Sequence, residues 1–497
     1  MRTTSRNTFI ALALLVSSTT LAAPLAAPGD VGLRHDIQVL ADYGAISGPV
    51  TTWPLSWDAV LADLEKVKAD NTVLPNAVIP TYDRILARAQ REAARGEFGF
   101  SGGLAAAQDP VQIRGFANTP REEGEVGAGV SWFSQYVSID LNATYADQPV
   151  DGEEFRADGS QLGLDFGNWS FAASTMDRWW GPGWDGSLIL SNNARPIPSF
   201  TIGRNRTSAF ESKWLSWIGP WDLQVLWGQL EEERPVPNAK FWGMRVNFRP
   251  LKGLEIGLSR SAQWCGDGRP CGADVFWDLL LGRDNIGDDG TTEENEPGNQ
   301  MGGFDVRWTN LWFGTPVSFY GQLIGEDEAG GFPSRYLAQF GLEGSGITRG
   351  QTSYRWFVEG AATSCDALKS NVGYGCAYRN TNLYPAGYTY YRRIIGHGLD
   401  NDALVYSAGF IVVNADGNAW NVLARLGELN RVGPDANHSV APLPQDLASI
   451  DIQYSFPSRI GTFDLGAGYE RREELASGIE TSDTRGFLRW TSPARTR

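Results

Sequence analysis

The chain has 497 residues, a formal net charge of -16, 58 Gly, 19 Trp and only 3 His. The acidic balance argues against a nucleic-acid partner, and the scarcity of His weakens metal and His-based catalytic readings. No Walker A or H-E-x-x-H motif occurs, and a catalytic role would rest on scattered carboxylates.

Arg2 and Arg6 precede an apolar run, Phe9 to Ser18, that is too short to span a bilayer, and small residues follow at Thr20 to Ala22. This pattern predicts a secretory signal peptide over 1–22 and an exported chain after it. No later apolar run reaches the length of about eighteen residues that a membrane-crossing helix needs. Three amphipathic helices are expected next. The first carries Leu33, Ile37 and Leu40 on one stripe and ends near Gly44. A second is capped by Ser56 and carries Trp57, Val60, Leu61, Leu64 and Val67; a third starts at Pro80, turns Ile85, Leu86 and Ala89 inward, and stops by Gly96. They are too small to hold a core alone, and 23–95 is expected to form a three-helix plug resting on something larger.

From about Gly96 the apolar period becomes two. Val137, Ile139, Leu141, Ala143 and Tyr145 alternate with polar residues, as do Trp242, Met244, Val246 and Phe248. The pattern recurs at Phe304, Val306 and Trp308, at Ile450, Ile452, Tyr454 and Phe456, and at Phe463, Leu465, Ala467 and Tyr469. Such strands build either a soluble sandwich or a membrane barrel. Aromatics near strand ends (Trp169, Trp221, Trp264, Trp312, Trp420, Trp490) favour a barrel. So do tight turns at 166–169, 249–253, 415–417 and 457–461, set between long segments at 177–210, 265–301 and 361–403. The expectation is a transmembrane β-barrel of about 18 antiparallel strands over 96–497, the region 97–118 counting as one strand with a lead-in. Asp140, Arg245, Asp305, Arg307 and Arg355 would then point into the lumen.

The four Cys fall as local pairs, Cys265/Cys271 and Cys365/Cys376, expected as disulfides; their spacing and the lack of nearby His do not suit zinc. The acidic run 284–300 lacks the ligand spacing of a calcium loop and reads as solvated. No cofactor and no metal are expected.

Four stretches carry a family resemblance: "LRHDIQVLADYG" (33–44), "GPVTTWPLSW" (48–57), "RWWGPGWDGSLILSNNARP" (178–196) and "IIGHGLDNDA" (394–403). With them the chain resembles the Wzi-type capsule-assembly family of outer-membrane proteins. The resemblance runs from the first helix to the last strand. It implies an eighteen-stranded barrel plugged from the periplasm by a small helical bundle, with long loops over the outer mouth. It further implies a lectin that holds capsular polysaccharide at the cell surface, neither enzyme nor open pore. One departure is the tail "TSPARTR" after Trp490, where such barrels commonly end on an aromatic residue.

Two clusters are candidate sugar sites. Trp179, Trp180, Trp184, Asp185, Asn192, Asn193 and Arg195 combine flat aromatic faces with groups that satisfy hydroxyls and acids, and the same Trp could instead wedge the mouth shut. Tyr388, Tyr390, Tyr391, Arg392, Arg393 and His397 interleave aromatics with guanidinium groups suited to uronate carboxylates. Beside Asp400 and Asp402 the same Arg residues could form a structural ion-pair lattice. Expected partners are capsular or exopolysaccharide and outer-membrane lipid, with no obligate protein partner evident. Loops are expected outside the cell and both termini in the periplasm. A porin-type sugar-uptake channel shares these features and remains the alternative.

Overall fold

The computed structural model describes residues 24–281, 298–329, 332–380 and 382–492. The expected signal segment, most of the acidic run and the last five residues of the tail lie outside them.

Three helices open the described chain: α1 (Val31–Asp42), α2 (Trp57–Ala69) and α3 (Ile79–Glu92). Asp30 caps α1 by accepting from the Leu33 amide at 2.8 Å, and Ser56 caps α2 by accepting from Ala59 at 3.2 Å. Gly44, with φ +82°, takes the left-handed position that follows α1.

Eighteen antiparallel strands then close into a barrel. They are β1 (Phe98–Gln108), β2 (Gly124–Phe133), β3 (Val137–Asp147), β4 (Gln161–Phe166), β5 (Trp169–Ser174) and β6 (Ser199–Arg204). Next come β7 (Trp221–Gln229), β8 (Lys240–Leu251), β9 (Leu254–Trp264), β10 (Gly298–Trp312), β11 (Thr315–Ala329) and β12 (Phe332–Ile347). The circuit ends with β13 (Ser353–Ala362), β14 (Leu404–Val413), β15 (Ala419–Leu429), β16 (Gln445–Ser458), β17 (Gly461–Glu474) and β18 (Glu480–Thr491). A two-residue strand, Phe155–Arg156, adds a spur on β3. β18 pairs back onto β1 from Gly486↔Gln108 to Thr491↔Gly103 and seals the wall.

The wall has the polarity of a water-soluble core turned inside out. On β8, Arg245 and Asn247 face inward and are fully buried. Their apolar neighbours face out, and outward residues around the barrel such as Trp308, Phe319, Tyr406 and Phe410 are exposed. An apolar belt of this extent is the lipid-facing surface of a membrane barrel.

One rim carries short connections, including Gly167–Asn168, Lys252–Gly253 and Phe313–Gly314; most connections at the other rim are long. The region 97–118 holds a single strand, β1. The segment 177–210 is not one loop. It comprises a loop on the long-loop rim (175–198), strand β6, and a sixteen-residue connection (205–220) on the opposite rim. β6 escaped the sequence reading because its alternation is only six residues long and is bordered by Pro196 and Pro198. A fourth helix, α4 (Ala273–Leu281), was likewise not anticipated within 265–301.

Candidate functional site: the plugged lumen and its mouth

A helix with one apolar stripe ordinarily leaves its other face in water. In α1, eleven of twelve residues are buried, Arg34, His35, Asp36, Gln38 and Asp42 among them. The reason is the wall around it: the polar face of α1 meets the polar lumen. Asp42 accepts from Arg307 at 2.8 Å and from Arg355 at 3.2 Å, and both arginines also grip Glu343. His35 Nε2 lies 3.0 Å from the Ser353 hydroxyl. The following segment docks the same way. Glu255 accepts from the Val50 and Thr51 amides and the Thr51 hydroxyl, at 2.9, 2.8 and 2.6 Å. Arg245 donates to Thr52 at 2.6 Å while paired with Asp305. Asp42, Glu343 and Asp305 thus meet the guanidinium groups of Arg307, Arg355 and Arg245, while Glu255 is satisfied by amides and a hydroxyl, which is what makes their burial tolerable.

The 175–198 loop enters from the other rim and meets this segment inside. Trp179 and Trp180 pair as a short antiparallel ladder with Trp53 and Thr52. Arg34 ends in a cage that the Trp-Trp-Gly-Pro-Gly-Trp turn builds around it. Its guanidinium lies 4.4, 5.5 and 4.1 Å from the ring centres of Phe116, Trp179 and Trp184, and donates to the Pro182 and Gly183 carbonyls at 2.9 and 2.8 Å. The wall fixes the rest of the loop. Trp184 donates its indole N–H to Glu343 at 2.7 Å and its amide to Glu359 at 2.9 Å. Asp185 is clamped by Arg425 at 2.7 and 2.9 Å. Burial would raise that carboxyl, but the guanidinium outweighs it and holds Asp185 below the usual carboxylate range. At Gly186 any Cβ would stand 1.9 Å from His397 Nε2, so the close approach of loop and ring requires glycine there.

The candidate sugar residues therefore separate by depth. Trp179, Trp180, Trp184, Asp185, Asn192, Asn193, Tyr388, Tyr390 and His397 are buried, with no face turned to solvent, and they pack the plug. Asn192 and Asn193 donate to the carbonyls of Phe116 and Ile394 at 3.0 and 2.9 Å. Tyr388 donates to the Ile189 carbonyl at 2.9 Å. His397, buried next to Arg425, is pushed down to about 4, the nearby Asp185 opposing in part. Arg195, Tyr391 and Arg393 are half-buried and Arg392 is exposed.

These four stand around one hairpin. Thr389–Tyr390 pairs with Arg393–Ile394, leaving Tyr391 and Arg392 as the two central turn residues. Both are left-handed, at φ 47° and 62°. Such turns favour Gly and Asn, and a side chain there costs about 1–2 kcal/mol. The Tyr391 hydroxyl donates to Glu153 at 3.1 Å, and its ring receives the Arg195 guanidinium at 5.2 Å. Arg195 in turn is held by Asp158 and Asp151, at 2.9 Å to each. Arg393 donates to Gln112 and Asn193. Among the described residues, no hydrogen bond or ion pair engages Arg392.

Both cysteine pairs form disulfides, Cys265–Cys271 and Cys365–Cys376, in the connections at the long-loop rim. Arg34, Glu343, Glu359 and Arg425 were not singled out in the sequence. Glu343, Glu359 and Arg425 occupy inward positions of alternating strands, a signal that marks the lumen but not the partner.

A closed, charge-lined barrel filled from both ends defines the class: a plugged membrane-spanning β-barrel. The Capsule assembly protein Wzi family matches residues 101–479, and the chain belongs to that family. It is similar to the solved structure of Wzi, an outer membrane protein involved in group 1 capsule assembly in Escherichia coli and a carbohydrate binding β-barrel. The TM-score is 0.81 at 26% identity, over 96% of this chain and 100% of that one. An uncharacterized 55.8 kDa protein in the cps region of Klebsiella pneumoniae is 35% identical over 338 residues, 66% of this chain. The match spans 64% of that relative's length. The chain is an outer-membrane β-barrel.

Proposed function

We propose that this barrel is a non-enzymatic surface lectin that binds capsular polysaccharide at its mouth and so holds the capsule to the cell. The long-loop rim faces outward, residues 24–95 plug the barrel from the periplasmic side, and both termini lie there. The observation that carries the reading is the Tyr391–Arg392 turn. A strained backbone persists where the surroundings and the use of the side chains require it. Here it sets a half-buried aromatic ring beside an exposed, unengaged guanidinium at the mouth. Arg195 is already paired with Asp151 and Asp158, so Arg392 is the cation that an acidic polymer finds beside the stacking face of Tyr391. One weak site per barrel suffices when many barrels meet one repeating polymer.

The test replaces the turn with residues suited to its backbone, Tyr391→Asn together with Arg392→Gly. Relief of strain is expected to stabilise the protein by about 1–2 kcal/mol. Binding of purified acidic capsular polysaccharide should fall at least tenfold. Unchanged binding in the more stable variant would remove the turn from the site.

A further inference from the structure

Helix α4 does not sit in the mouth. It lies on the outside of the barrel, and strand parity shows it. Arg245 and Asn247 fix the inward face of β8, so Trp242 points outward; Glu255 and Ser259 do the same for β9, so Ala262 points outward. Trp242 and Ala262 are nonetheless buried, because Leu279 of α4 covers them, with Phe276 and Leu280 packed alongside. Trp277 and Leu281, on the far side of the helix, are 57% and 60% exposed.

The last described turn of this helix is held to the wall. Arg260 points outward from β9, where a charge facing lipid is costly. Its Nη1 and Nη2 donate to the carbonyls of Leu280 and Leu279, each at 2.8 Å, and its Nε donates to Gln300 at 2.8 Å. Gln300 also donates to the Leu279 carbonyl, at 3.1 Å. In hydrocarbon the protein itself must supply donors to backbone carbonyls that no solvent reaches. The wall does so here. Between α4 and the neighbouring wall runs an open groove of about 860 Å³, lined by Leu162, Ala173, Phe200, Trp227 and Phe276, with the Cys265–Cys271 staple beside it. It is continuous with the lipid-facing belt.

We propose that α4 and this wall form a binding groove for an acyl chain of a membrane lipid, in the leaflet next to the long-loop rim. The groove matches a hydrocarbon chain in character, and it opens onto the surface that the bilayer already covers.

The experiment titrates phosphatidylethanolamine into delipidated full-length protein in detergent and counts bound lipid by native mass spectrometry. Ala173→Trp fills the groove from an exposed outward position on β5. Ala408→Trp adds the same bulk to an exposed outward position on β14, nine strands away across the barrel. One tightly held lipid is expected on wild type and on Ala408→Trp, with affinity at least tenfold weaker on Ala173→Trp. Equal binding by all three, or none by any, would overturn the groove. So would wild-type dimers that Ala173→Trp dissociates, since a second copy would then be the occupant. Polysaccharide binding by the same samples reads the mouth separately, so either proposal can fail without the other.

Discussion

Arg34 is the residue on which both halves of the plug converge. Its charge is taken up by three aromatic faces and two carbonyls, and none of its partners is an acid within ion-pair distance. Removing the side chain leaves the Pro182 and Gly183 carbonyls without donors and empties the space between three rings. Arg34→Ala is expected to cost about 3 kcal/mol in denaturant unfolding and to make the 175–198 loop sensitive to protease. Arg34→Lys keeps the charge but not the fork, and should fall between.

His397 sets a pH dependence at the same scale. Its folded-state value near 4 lies below the ordinary value of 6.5, chiefly through burial. The unfolded chain therefore takes up a proton below pH 6.5 that the folded chain refuses until about pH 4. Stability contributed by the neutral ring is complete above 6.5 and is lost as the pH falls through that window. His35, also lowered by burial, acts in the same direction. Replacing His397 with Gln should flatten the wild-type loss between pH 7 and pH 5 by about 2 kcal/mol, measured by denaturant unfolding in detergent. An identical pH slope in the variant would show that the ring titrates freely.

At the scale of elements, the strands were legible because a membrane wall imposes a period of two over ten or more residues, and β3, β8, β16 and β17 carry it openly. The first three helices were legible from their caps and stripes. β6 was hidden by its length. α4 was hidden because its outer face is as apolar as its inner one, so no stripe stands out. The plug side chains were read as chemically suited to sugars, and so they are; what the sequence lacks is depth. Trp179 buried and Trp179 exposed have the same neighbours in the chain. Only the pairing with Trp53, some 126 positions away, decides between them. The mouth hairpin was legible as composition, whereas its left-handed turn was not. The staple at Cys365–Cys376 belongs to this scale too. It closes a short loop within 363–403, and its reduction should destabilise that connection by about 3 kcal/mol, seen as faster proteolysis there than in the barrel wall.

For the whole molecule, closure is shared. Helix α1 with its following segment and the 175–198 loop come from opposite rims and complete one another's hydrogen bonds midway. The intact protein should pass no small sugars when reconstituted in vesicles. Deleting residues 24–95 alone should yield only a small flux, because the loop stays clamped by Glu343, Glu359 and Arg425. Deleting 24–95 and shortening the loop together should open the barrel. Steady uptake by the intact form would instead make it a channel.

The clamping of the 175–198 loop also decides how the molecule bears force. A polymer dragged by flow would pull on the hairpin tip, and through Asn193 and Ile394 on that loop. The tension then divides among the Asp185–Arg425 ion pair on β15 and the hydrogen bonds to Glu343 on β12 and Glu359 on β13, strands that are each laced to two neighbours. No slack tether lies along this route, so little chain can pay out before the load reaches the wall. The contact with the sugar is the part that yields, and it can re-form at the next repeat.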